Sequence, residues 1–278
     1  MAKLNILKTE IKIGIEKPFK ILHMTDSHIT RDDPFDGGRR RTFDVHYEGC
    51  AEDYYFEALA YARKKSMPIL HTGDLIDFFS KGNFDFIRDH FSDVDYMYAA
   101  GNHDFCHMLG EAKEDYAYKW EKILEIAPYF RCNLYFDARV INGVNIVTLD
   151  NSYYFITKGQ TELLRAEAAK GYPILLAMHV PLYAEQQARI AREEGVECAY
   201  LCGAPEELLA TYSEYRRTQQ TPDHATREAI DYIKNEPLVR AVIAGHTHRN
   251  LDEMLTERIP QYTTGGSYEG FVREITVK

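Results

Sequence analysis

Five times along this 278-residue chain, a short aliphatic run stops abruptly at Asp, Asn or His. Phe19–Met24 leads into Thr25-Asp26-Ser27-His28, and residues 68–71 lead into Thr72-Gly73-Asp74. Residues 94–99 lead into Ala100-Gly101-Asn102-His103-Asp104 and residues 173–178 into His179. Val239–Ala244 leads into Gly245-His246-Thr247-His248. Runs of this length and composition predict strands buried on both faces. Helical patterns lie between them, over 51–65, 111–126 and 160–170, with a fourth running to Lys234 behind the N-cap Asp223. Cationic Arg63-Lys64-Lys65, Pro128 and Gly171 fall where helix ends want them. Val144–Leu149 and Phe271–Val277 read as further strands. Strands alternating with helices predict an α/β fold. In such sheets ligands collect at the strand carboxyl ends, which is where all five polar clusters fall.

Those clusters are made of residues that bind metals and move protons. Imidazole and carboxylate together suit Mn, Fe or Zn better than Ca or Mg, which prefer oxygen alone. Cysteine offers a weaker alternative, since only Cys198 and Cys202 are near enough in sequence to pair or bind metal. Cys50, Cys106, Cys132, Cys198 and Cys202 form no C-x-x-C pair and read as inert thiols of a reduced, cytoplasmic protein. Charge narrows the partners: 33 Lys+Arg against 43 Asp+Glu give a net −10, which disfavours long nucleic acids and anionic membranes. No apolar run approaches the ~18–20 residues that span a bilayer.

In order and in context, Asp26-x-His28, Gly73-Asp74-x-x-Asp77, Gly101-Asn102-His103-Asp104, His179 and Gly245-His246-x-His248 resemble the calcineurin-like metallophosphoesterases over about residues 19–249. The resemblance implies a four-layer α/β/β/α sandwich of two mixed sheets flanked by helices, with a dinuclear metal site at strand carboxyl ends. It places Asp26, His28 and His248 on one metal and Asn102, His179 and His246 on the other, bridged by Asp74. It implies hydrolysis of a phosphate ester by a metal-bridging hydroxide, with His103 as general acid and Asp104 orienting and charging it. By its own position Asp77 reads equally as a helix-start carboxylate; the resemblance puts it behind the ligands. It also separates this chain from the purple acid phosphatases, which carry Tyr there. His23 and His71, inside predicted strands, read as satisfied core histidines or as support for the ligands.

Two segments stand out from a minimal family core. Arg39, Arg40 and Arg41 follow two glycines and offer forked donors to an extra phosphate, or belong to a solvated loop. Residues 182–221 have helical character without a strand signal, and read as a helical cap over the site, as a surface excursion or as an interface. The whole, 1–278, is expected to be a single domain. The activity expected is phosphodiesterase on a small or medium soluble substrate. The alternatives are a phosphomonoesterase or a non-catalytic metal-binding scaffold for protein partners, which the complete ligand set disfavours.

Overall fold

A computed structural model of the chain describes residues 3–31, 50–106 and 116–278. The first half comprises β1 (Asn5–Ile11), β2 (Phe19–Met24), α1 (Ala51–Lys64), β3 (Ile69–His71), α2 (Lys81–Phe86, continued by a wide turn at Ile87–Phe91), β4 (Tyr96–Tyr98) and α3 (Tyr116–Ile126). Next come β5 (Phe136–Ile141), β6 (Val144–Leu149), α4 (Lys158–Ala168) and β7 (Ile174–Ala177). Three short helices follow, α5 (Glu185–Glu193), α6 (Glu206–Leu209) and α7 (Glu214–Gln220), and then α8 (His224–Asn235). Finally there are β8 (Val239–Ala244), β9 (Leu251–Met254), β10 (Pro260–Thr263) and β11 (Phe271–Val277).

The strands form two mixed sheets, in the orders β1-β11-β2-β3-β4 and β5-β6-β7-β8-β10-β9. Within them β2, β3 and β4 run parallel, as do β6, β7, β8 and β10, while β11–β2, β5–β6 and β9–β10 are antiparallel. Alternate side chains of the interior strands enter different layers. On β7, Ile174 and Leu176 pack towards α4 and α8, whereas Leu175 and Ala177 face the other sheet. On β8, Val239 and Val242 take the helical side, and Ala241 and Ile243 the side between sheets. Leu22 and Ile69 likewise join the α1 layer, and Ile21 and Leu70 the inter-sheet layer. Because both faces are buried, such strands carry no polar alternation, which is why they read as unbroken apolar runs. The result is helices, sheet, sheet, helices: the expected sandwich of two mixed sheets.

Local chemistry sets the element ends. Thr157 and Gln160 form a reciprocal capping box on α4, and the Asp223 side chain accepts the Thr226 N–H at 2.7 Å to start α8. Residues 182–221 form their own small core of Ala188, Ala191, Leu201, Leu208, Leu209 and Tyr212. An isolated bridge between Leu182 and Cys202 closes this segment on itself, and Leu182 exchanges two hydrogen bonds with the Gln261 side chain of β10. No helix among the described residues is long and apolar enough to cross a membrane.

Candidate metal centre

The sheets place all five loop clusters together. The Asp26 N–H reaches the Gly73 carbonyl, the His28 N–H the Asp74 carbonyl, and the Gly245 N–H the His179 carbonyl, so neighbouring loops hold one another. Gly73 adopts φ +93°, open to glycine alone among residues without strain, and a Cβ there would stand 2.7 Å from His179 Nδ1. Gly245 lies against Thr25 and Asp26, with no room for a side chain.

Each of the two central carboxylates has one oxygen pinned and one aimed inward. Asp26 Oδ2 accepts the His246 N–H at 2.9 Å and the Thr25 hydroxyl at 2.6 Å. Its Oδ1 is buried, makes no hydrogen bond, and faces His248 Nε2 at 3.2 Å. Asp74 Oδ1 accepts the His103 N–H at 2.8 Å, while Oδ2 lies 3.2 Å from His179 Nε2 and 3.9 Å from His28 Nε2. Asp74 therefore touches two groups. One is Asp26, His28 and His248, whose Nε2 atoms on the histidines are 3.1 Å apart. The other is His179, His246 and Asn102, with His179 Nε2 3.1 Å from both His246 Nδ1 and Asn102 Oδ1.

These atoms fit cations. His179 Nδ1 lies 2.6 Å from the Thr72 carbonyl, which only accepts, so the ring proton is on Nδ1. His28 Nδ1 likewise donates to Asp77 Oδ1 at 2.7 Å. The inward nitrogens then present lone pairs to carboxylate and amide oxygens, and acceptor meets acceptor in both groups. A cation satisfies such an arrangement, and the mixture of imidazole, carboxylate and one amide is that of a transition metal site. Without one the groups must trap protons: burial lowers the His179 imidazole, but Asp74 more than offsets it and holds it up at about 9.

His103 stands at the rim, its ring 4.8 Å from that of His28 and its side chain 22% exposed. Its Nδ1 lies 2.9 Å from Asp77 Oδ1. Burial would lower this imidazole, but Asp77 and Asp74 outweigh it and keep it well above the usual histidine range. Asp77 thus serves both His28 and His103. Asp104, expected to orient His103, does not. The tight turn His103–Phe105 sends consecutive side chains in different directions. The Asp104 carboxylate points beneath the loop, where it accepts N–H groups from Asp74 (3.1 Å), Leu75 (3.0 Å) and Gly101 (2.8 Å) and the Tyr98 hydroxyl. Burial and then the Asp74 charge push it up to about 7, against those donors.

The other sequence candidates divide. His23 is fully buried between Thr264 and Thr72, and His71 donates to or accepts from Ser27 at 2.9 Å, with burial pushing it down to about 3. Both support the loops and neither reaches the centre. Arg39, Arg40 and Arg41 lie outside the described residues. Residues 182–221 lie along the 246–249 loop: Tyr200 sets its ring 5.8 Å from that of His246, Thr247 meets Gln187, and Arg249 pairs with Glu194. Three contacts were invisible in the sequence. Tyr154, Tyr200 and Tyr268 all touch His246 or His248 of the two groups, and nothing in spacing or neighbours marks them among 20 tyrosines.

The calcineurin-like phosphoesterase family model matches residues 19–250. Among solved structures, a dimetal phosphatase from Danio rerio superposes with a TM-score of 0.51 at 13% identity, over 90% of this chain and 88% of that one. A phosphopantetheinyl hydrolase from Mycobacterium tuberculosis gives 0.41 at 12% identity over 94% and 91%. A 5'-nucleotidase from Candida albicans gives 0.40 at 12% identity, over 95% of this chain but 47% of that one. No curated protein matches the sequence.

Proposed function

The chain belongs to the calcineurin-like phosphoesterase family and is a phosphoester hydrolase, and from that premise we propose that it cleaves a phosphodiester of small or medium soluble type at the site of Asp26, His28, Asp74, Asn102, His179, His246 and His248. The observation that carries the reading is the pair of lone-pair clusters sharing Asp74, with His103 and Asp77 at their rim. Asp26, His28 and His248 would hold one cation, and Asn102, His179 and His246 the other, with Asp74 common to both. Mn, Fe or Zn bound there supplies Lewis-acid activation of water and of the phosphoryl oxygens.

The protein's own residues supply the rest. His103 Nδ1 donates to Asp77, which leaves Nε2 to carry the proton given to the departing alkoxide. Asp77 favours the imidazolium needed for that step. Two divalent cations held with Asp26 and Asp74 would leave two positive charges, and a hydroxide nucleophile would remove one. A singly charged diester then closes the balance, while a doubly charged monoester exceeds it. The segment 182–221 borders the His246 side and acts as a cap, favouring compact substrates over polymers. The buried thiols Cys106, Cys198 and Cys202 suit a cytoplasmic setting.

The test is chelation followed by reloading with Mn²⁺, with rates measured on bis(p-nitrophenyl) phosphate and on p-nitrophenyl phosphate. Hydrolysis should vanish on chelation and return with metal, with the diester faster. A faster monoester overturns the diester reading, and failure on both esters overturns hydrolysis at this site.

A further inference from the structure

Behind each metal-facing histidine stands a group that fixes its ring, and the four groups are not alike. His28 has the Asp77 carboxylate and His179 the Thr72 carbonyl. The other two rings meet phenols: Tyr154 Oη lies 3.0 Å from His246 Nε2, and Tyr268 Oη lies 3.1 Å from His248 Nδ1. We propose that Tyr154 and Tyr268 are the positioning residues of the two metal sites, one for each, their phenol oxygens accepting the ring N–H that leaves the opposite nitrogen bare for a cation. This rests on the reading of these histidines as ligands.

The surroundings of Tyr154 support a built role. It is 2% exposed and holds φ +69°, a left-handed conformation costly for an aromatic residue. Its N–H is tied to the Asn151 carbonyl at 2.8 Å, and its carbonyl accepts the Cys202 thiol at 3.1 Å. Its ring stands 5.5 Å from His246, nearly edge-on at 73°. The turn after β6 thus spends backbone strain to bring one hydroxyl to one nitrogen. Cys202 belongs to the 182–221 segment, so the same contact links that segment to the site of Asn102, His179 and His246. Tyr268 arrives from elsewhere, in the turn before β11, where its N–H reaches the Asp26 carbonyl. Its ring is 5.1 Å from His248 and 5.6 Å from His28. Each tyrosine therefore serves a different metal group.

Groups that orient a metal-bound imidazole are worth roughly 10–100-fold in metal affinity. The experiment is calorimetric titration of the metal-free full chain with Mn²⁺. The wild type should bind two ions. In an Asn102→Ala background, where the Asp26–His28–His248 site remains, Tyr268→Phe should weaken binding about 10-fold or more, while Tyr154→Phe leaves it within about twofold. In a His28→Ala background the pattern should reverse. A phenylalanine variant that leaves its own site unchanged, or weakens both sites equally, overturns the proposal. A wild type that binds no metal overturns the ligand reading beneath it. Independently of any variant, ¹⁵N shifts of the zinc-loaded wild type should show His246 protonated at Nε2 and metallated at Nδ1. The opposite assignment overturns the role of Tyr154.

Discussion

Asp26, His28, Asp74, His246 and His248 all hold φ between +45° and +66°, a region that L-residues rarely enter. Each such residue costs on the order of 1–3 kcal/mol, which the surrounding sheets must offset. The strain aims side chains from sharp turns at one point, and it is invisible in the sequence, where these positions are simply Asp and His. The candidate ligands were legible because five clusters recur behind five strands. Their supports were not: Asp77 and Asp104 both sit in motifs, and only geometry shows which one reaches His103. That assignment has a kinetic signature. His103→Ala should slow alkyl esters, whose leaving groups need a proton, by about 10²–10⁴-fold, and activated aryl esters far less. Asp77→Asn should show the same dependence on leaving group, and Asp104→Asn should not. A plot of rate against leaving-group pKa for the three variants decides it, and equal slopes for Asp77→Asn and the wild type would return the role to Asp104.

Among the elements, β2, β6, β8 and β11 match their expected bounds to the residue, whereas β1, β5, β9 and β10 carry no strong sequence signal. The physical difference is burial. The interior strand β6 is buried throughout, while β5 and β9 at the edge of the second sheet mix buried and exposed residues over four to six positions. Short edge strands have little apolar pattern to read. Glu274, in the interior strand β11, is a polar exception with a measurable consequence. Lys20 (2.5 Å), Tyr61 (2.6 Å) and Lys65 (3.0 Å) converge on it, joining β2 and α1 to β11. The Lys20 hydrogen bond first, then that of Tyr61, hold its carboxyl down at about 2, against 4.5 for an ordinary glutamate. A depressed carboxylate stabilises the fold above its unfolded pKa, so this contribution is complete above pH 4.5 and lost as the pH falls towards 2. Since the lysine heads are partly exposed, it amounts to about 1–2 kcal/mol. Glu274→Gln should flatten the acid limb of the stability curve between those values. Unfolding curves of variant and wild type that stay parallel down to pH 2 would show that the cluster contributes nothing there.

For the whole molecule, the segment 182–221 is the part whose attachment matters most. Gln187, fully buried on α5, donates to Glu253 at 2.7 Å and Thr263 at 2.9 Å and so fastens the segment to β9 and β10. Gln187→Ala leaves those buried acceptors short of a donor and should cost about 1–3 kcal/mol. The measure is the urea midpoint at unchanged m-value, and a midpoint equal to the wild type's would mean the attachment lies elsewhere. The sequence showed the segment's helical character but not this seam, because its glutamine and glutamate are 66 residues apart.

The position of β11 has one further consequence. This strand, the latest described in the sequence, lies between β1 and β2, which are among the earliest. While the ribosome is still making residues 271–277, β1 has no neighbour and β2 has one open edge. The nascent first sheet therefore stays unfinished, its hydrogen-bonding groups bare, until residues 271–277 are made. The candidate metal groups are completed about as late, since each needs His246 or His248. A ribosome-bound chain halted before residue 246 lacks one histidine from each of the two candidate metal groups.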